Sequence, residues 1–236
     1  MLVLKFGGTS VGSIDAFAAV CKIVTDKVQQ QSKTKRPGVV VVTSAMSGVT
    51  NMLIDAAQKS AKGNAATAKE AIATLRQKHM QVIDHFITNE ADRQSLIDHL
   101  ETKLSDLDRI CGGIAVLGEL TARGNDLVSG LGERINAPIL AGVLRSQGIT
   151  AQAVDAVEIV VTDSVFGGAD PIMELTGHRS RAKLLPMLDR GVVPVVTGFV
   201  GATIDGVPTT LSRGGSDYSA GIIGTALEAD EIQIWT

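Results

Sequence analysis

The sequence predicts an α/β fold: an open, mostly parallel sheet sandwiched by helices, with a long helical insert. Short runs rich in Val, Ile and Leu are continuous rather than alternating, as expected of strands buried on both faces. Helical stretches separate these runs, so strand and helix alternate from the first residues onward. At 236 residues the chain is long for one domain and short for two, so residues 1–236 are read as one large unit with a full core.

The first strand is expected at Leu2–Phe6, followed by a helix over Ile14–Gln31 and a second strand at Val39–Thr43. Residues 51–111 then break the alternation. Their helical stretches, Asn51–Lys62, Ala65–Phe86 and Asp92–Cys111, carry apolar residues such as Ile72, Leu75, Met80, Val82 and Phe86 at amphipathic spacing. This segment is read as a pair of long helices inserted on the sheet, with His79, His85 and His99 at the surface or on a helix face. Beyond it come a helix over Glu119–Gln147, a strand at Glu158–Val161, a helix over Gly177–Arg190 and a strand at Val192–Thr197. Asp205-Gly206 between β-prone pieces marks a hairpin within Gly198–Thr210. A helix over Asp217–Leu227 and a strand at Ile232–Trp235 complete the series.

Composition narrows the function classes. Aromatics are only 3% of residues, so the core must be aliphatic. The net charge of −3 and a mean hydropathy of +0.22 fit a globular chain. The one basic cluster, Lys33, Lys35 and Arg36 beside Pro37, reads as a solvated loop, so no nucleic-acid partner is expected. No apolar run approaches the roughly 18 residues that span a bilayer, so no membrane partner is expected either. The start lacks a basic, apolar leader, and Cys21 and Cys111 lie far apart as packed thiols, without metal-ligand spacing. A cytoplasmic location follows as the expectation.

Four motifs carry chemistry. Lys5-Phe6-Gly7-Gly8-Thr9-Ser10 runs from a strand into a glycine turn before a helix, which exposes backbone N–H groups for an anion, with the Lys5 charge beside them. It is neither G-x-G-x-x-G nor a P-loop, because Ser13 stands where the P-loop lysine belongs. Ser44-Ala45-Met46-Ser47-Gly48-Val49-Thr50-Asn51 follows a buried strand, where small and hydroxyl residues let a polar ligand approach; a plain cap and turn would read the same way. Arg213-Gly214-Gly215-Ser216-Asp217-Tyr218 offers a guanidinium fork for a carboxylate at a helix start. Glu133, in Gly132-Glu133-Arg134, could bind an ammonium group or simply pair with a neighbour.

The loops hold no histidine, no nucleophile with a partner and no metal cluster. A carboxylate acceptor needs none of these: with a pKa of about 3.9 it is already ionised and can attack phosphorus without a base. It requires cations, backbone donors and alignment. Phosphoryl transfer to a carboxylate is therefore the economical reading.

Those motifs, with Thr162-Asp163-Ser164-Val165-Phe166-Gly167, Gly198-Phe199-Val200-Gly201 and the closing Ile234-Trp235-Thr236, resemble aspartate kinases across the whole chain and in the same order. The resemblance implies an amino-acid/carbamate kinase-like fold. It implies transfer of the ATP γ-phosphoryl to the side-chain carboxylate of L-aspartate, giving 4-phospho-L-aspartate at the head of lysine, threonine and methionine synthesis. By it, Lys5 and Asp217 are catalytic, Lys5 holding the phosphoryl and Asp217 organising the lysines. Lys5, Gly7, Gly8, Ser10 and Thr236 meet the nucleotide. Ser44, Thr50, Glu133, Phe199, Arg213 and Ser216 form the aspartate pocket, with Glu133 on the ammonium group.

ATP with Mg2+ held mainly by the phosphates is the implied cofactor, no metal is expected on protein ligands, and a homodimer is a family tendency. The 51–111 insert resembles that of the larger aspartate kinases, including those fused to homoserine dehydrogenase. In the family, Ile-Trp-Thr is followed by segments supplying the adenine pocket, a second catalytic lysine and ACT-type regulatory domains. The expectation is a partial kinase domain with little or no activity. An acetylglutamate or glutamate 5-kinase, or a non-catalytic amino-acid-binding module, are the alternatives.

Overall fold

The computed structural model describes residues 1–34, 36–64, 66–212 and 215–236. In chain order the elements are β1 (Leu2–Phe6), α1 (Ile14–Gln31), β2 (Val39–Thr43), α2 (Val49–Ala61), α3 (Ala66–Phe86), α4 (Glu90–Leu117), α5 (Ala122–Ser129) and α6 (Leu131–Ser146). They continue with β3 (Ala151–Val154), β4 (Val161–Thr162), α7 (Met173–Asp189), β5 (Val193–Thr197), β6 (Val200–Thr203), β7 (Pro208–Thr210), α8 (Gly215–Leu227) and β8 (Glu231–Trp235).

A five-stranded sheet runs in the order β3-β5-β2-β1-β8, with every pairing parallel. The strands β1, β2 and β5 are buried on both faces because successive residues feed two cores. Strand β8, expected to be buried in the same way, is largely exposed as the last strand of the sheet, with Ile232, Ile234 and Trp235 open to solvent. Leu2, Leu4, Phe6, Val39 and Val41 point into one core with residues of α1, α2, α3, α4 and α6. Val3, Val40, Val42 and Val196 enter the other with Leu184 and Met187 of α7 and Ile222 and Ile223 of α8. Each such apolar side chain removed from water contributes about 1.5–3 kcal/mol. The open, mostly parallel sheet between helices expected from the sequence is therefore present. A smaller sheet, β4-β6-β7, carries the Asp205-Gly206 hairpin as the antiparallel pair β6–β7.

The chain passes from β1 to β2 on one side and later returns as β8 on the other. Such a switch in strand order opens a crevice at the strands' carboxyl ends, where α/β sheets place ligands.

Several expectations differ from the structure. The segment read as a pair of long helices forms three, α2, α3 and α4, packed together. The single helix expected at Glu119–Gln147 is two: Thr121 caps α5 by accepting from Gly124 N (3.1 Å), and the chain breaks at Gly130 before α6. The strand expected at Glu158–Val161 begins later. Asp155 caps a 3-10 turn over Ala156–Glu158, leaving only Val161–Thr162 extended. His79 is wholly buried rather than superficial. It sits one turn after Leu75 on the apolar stripe of α3, and its Nδ1 bonds the Leu75 carbonyl at 2.7 Å. Burial lowers its pKa to about 4. No helix among the described residues is long and apolar enough to cross a membrane.

Candidate active site

A cavity of about 510 Å3 opens at the carboxyl ends of β1, β2, β5 and β8. Lys5 is the penultimate residue of β1, and its side chain reaches the cavity with only 4% of the residue exposed. There its ammonium pairs with Asp217, in the first turn of α8. Gly7, Gly8 and Thr9 line the floor beyond the strand. The loop is fastened on both sides: Gly7 N donates to Trp235 O (2.9 Å) and Ser47 N donates to Gly8 O (3.0 Å).

The segment after β2 forms a second wall, with Ser44, Ala45, Met46, Ser47, Gly48, Thr50 and Asn51 at the cavity. Asn136 of α6 donates to the Ser44 carbonyl (2.7 Å), and Lys78 of α3 donates to the Ser47 carbonyl (2.7 Å). The helical insert is thus bonded to a wall of the cavity. Ser44 Oγ donates to Ser216 Oγ (2.7 Å), which joins this wall to the start of α8. Opposite stands Phe199, whose backbone is left-handed (φ 67°). Its ring lies so close to Gly215 that a Cβ there would fall 2.2 Å from ring Cδ2.

Glu133 has the most distinctive electrostatics. It sits in the first turn of α6, brought against the second wall because Gly132 has no Cβ to strike Ala45, which would lie 2.6 Å away. The residue is 4% exposed, and its Oε2 finds no hydrogen-bond partner among the described residues. Burial pushes its pKa up to about 7, opposed by a hydrogen bond from the Ala45 backbone N–H. A buried acceptor without a donor is costly, so a cationic donor entering the cavity would be bound there. At the other end, the Lys5 ammonium and the glycine-loop backbone suit phosphate oxygens.

Of the residues expected at the site, Lys5, Gly7, Gly8, Ser44, Thr50, Glu133, Phe199, Ser216, Asp217 and Thr236 all line this one cavity. Ser10 does not; its hydroxyl donates to Trp235 O (3.2 Å) and ties the first loop to the end of β8. Arg213 lies outside the described residues. Sequence reading missed the supports Lys78 and Asn136. Asn136 could have been found, because it lies three residues after Glu133 and so on the same helix face. Among the described residues no group of three or more His, Cys, Asp or Glu is placed to hold a metal ion.

Comparison with known proteins decides the family. A model of the amino acid kinase family matches residues 1–236. The chain belongs to the amino acid kinase family. Within that family it is similar to the aspartokinase of Schizosaccharomyces pombe, 31% identical over 99% of this chain and 45% of that protein. It is likewise similar to the lysine-sensitive aspartokinase 3 of Escherichia coli K12, 30% identical over 100% of this chain and 49% of that protein. The crystal structure of E. coli aspartokinase III in complex with aspartate and ADP superposes with a TM-score of 0.87, at 28% identity, over 100% of this chain and 49% of that one. The chain spans about half the length of these relatives.

Proposed function

We propose that this cavity binds L-aspartate and the phosphates of ATP, and that its chemistry is transfer of the γ-phosphoryl to the aspartate side-chain carboxylate, giving 4-phospho-L-aspartate. The observation that carries the proposal is Glu133: a buried carboxylate with an oxygen unpartnered among the described residues, in the same cavity as the buried ammonium of Lys5. A free amino acid brings one ammonium and two carboxylates, and a nucleotide brings phosphates. E. coli aspartokinase III, a structural neighbour, was crystallised with aspartate and ADP.

Each side chain has a task on this reading. Glu133 takes the substrate ammonium and so fixes which end of the molecule faces inward. Ser44, Thr50 and Ser216 offer hydroxyls and Phe199 an apolar wall, with Arg213 gripping a substrate carboxylate. An acceptor oxygen then forms a bond to the γ-phosphorus while the bond to the bridging oxygen breaks, its electron pair leaving with ADP. The acceptor is already ionised, so no base is required. The protein aligns the reactants and offsets charge. Lys5, oriented by Asp217, is the cation for the transferring group, and the Gly7–Gly8 backbone cradles the phosphates. Mg2+ held mainly by the phosphates would neutralise further charge.

The test is calorimetric titration of the chain with L-aspartate, repeated for Glu133→Gln. Loss of an ion pair at a buried site should weaken binding about ten- to a hundredfold. Equal affinity for N-acetyl-aspartate, which has no ammonium group, would sink the assignment of Glu133 and with it the substrate.

A further inference from the structure

Phe199, at the cavity wall, holds a backbone conformation that a bulky side chain rarely adopts; the one other non-glycine residue with positive φ among the described residues is Glu228. Something must hold it there. Its carbonyl accepts from Leu211 N (2.8 Å), and its N–H donates to Ser219 Oγ (2.8 Å). The same hydroxyl donates its single proton to the Gly215 carbonyl (2.6 Å). Ser219 is 1% exposed and does not itself line the cavity, yet it joins two residues that do, Phe199 and Gly215.

We propose that Ser219 is the positioning residue of the aspartate pocket, its hydroxyl locking Phe199 left-handed and against the first turn of α8. The inference rests on the pocket assignment above. Without the hydroxyl, the Phe199 N–H loses its acceptor and the backbone at 199 relaxes toward ordinary φ. The ring then leaves Gly215. The turn that carries Ser216 and Asp217 loses the same contact.

Ser60 on α2 provides the control. It is also 1% exposed and donates to a carbonyl four residues back, Ala56 O (2.8 Å), but accepts from no backbone N–H among the described residues. The experiment combines amide hydrogen exchange by NMR with calorimetric titration of L-aspartate, on the full chain and on Ser219→Ala, Ser219→Thr and Ser60→Ala. For Ser219→Ala we expect the Phe199 amide to exchange at least about tenfold faster relative to Val196, and aspartate affinity to fall about tenfold. Ser219→Thr, which keeps the hydroxyl, restores both, and Ser60→Ala moves neither. Unchanged exchange at Phe199 in Ser219→Ala overturns the proposal, as does an equal affinity loss in Ser60→Ala. If the unmutated chain binds no aspartate, the substrate reading fails separately. Exchange at Phe199 then still decides whether Ser219 holds the wall.

Discussion

Asp126 and Glu133 lie on consecutive helices, and both are carboxylates less than 5% exposed, yet they are treated in opposite ways. Asp126, on α5, accepts from Gly167 N at both oxygens (3.1 and 3.0 Å), from Thr210 N (3.1 Å) and from Thr210 Oγ1 (2.6 Å). It fastens the loop after β4 to the end of β7. Glu133, on α6, receives the Ala45 N–H and leaves Oε2 without a partner among the described residues. Burial alone therefore does not mark a ligand site. Filled lone pairs mean architecture, and an empty one facing a cavity means a missing donor.

Substitution at each should break the comparison if it is wrong. Asp126→Ala strands two backbone N–H groups and a hydroxyl, and we expect a loss of about 3–5 kcal/mol in urea unfolding. Glu133→Gln removes an ionisable group whose desolvation is poorly compensated. Its stability near pH 7 should change by less than about 1 kcal/mol, or rise, while aspartate binding collapses. A large stability loss in Glu133→Gln would mean that Glu133 is structural too.

The pH dependence sharpens the contrast. The Glu133 carboxyl is raised from its ordinary range to about 7. The folded state then holds the proton more tightly, so stability of the ligand-free chain falls as pH rises from about 4.5 to about 7, by on the order of 3 kcal/mol. Buried His79, lowered to about 4, acts in the opposite sense, because its unfolded form binds the proton first. It costs stability as pH falls from about 6.5 to about 4. In the shared window the two slopes offset. Urea midpoints for Glu133→Gln should therefore show acid-weakening alone and those for His79→Gln base-weakening alone; parallel profiles would refute both assignments. Aspartate affinity should rise with pH through about 7, as Glu133 ionises, and lose that dependence in Glu133→Gln.

The same contrast shows what the sequence could reveal. The strands Leu2–Phe6 and Val39–Thr43 and the helix Ile14–Gln31 are legible to the residue, because local periodicity dictates them. The cavity-lining loops are legible as glycine and hydroxyl clusters at strand ends. Strand β3, Ala151–Val154, is not, since Ala-Gln-Ala-Val has little strand preference and pairs only because β5 offers an edge. His79 misleads because a polar residue occupies the apolar stripe. Asp126 bonds Thr210 across 84 positions of sequence, and Ser219 bonds Phe199 across 20; no local pattern announces either contact.

A third carboxylate completes the ranking. Glu101 on α4 is gripped in bidentate fashion by Arg76 of α3 (2.6 and 2.8 Å), which holds its carboxyl below the usual range. Its geometry is as good as that of Asp126, but its side chain is 44% exposed and that of Arg76 43%. Water solvates both partners once they separate, so little is lost. Glu101→Gln should cost only about 0.2–1 kcal/mol in low salt and less in about 1 M salt, read from urea midpoints. A cost approaching that of Asp126→Ala would show that bond geometry, not exclusion of water, sets what a carboxylate contributes here. The Glu133 oxygen left unpartnered among the described residues would then no longer call for a ligand, because it does so only where water is unable to fill the gap.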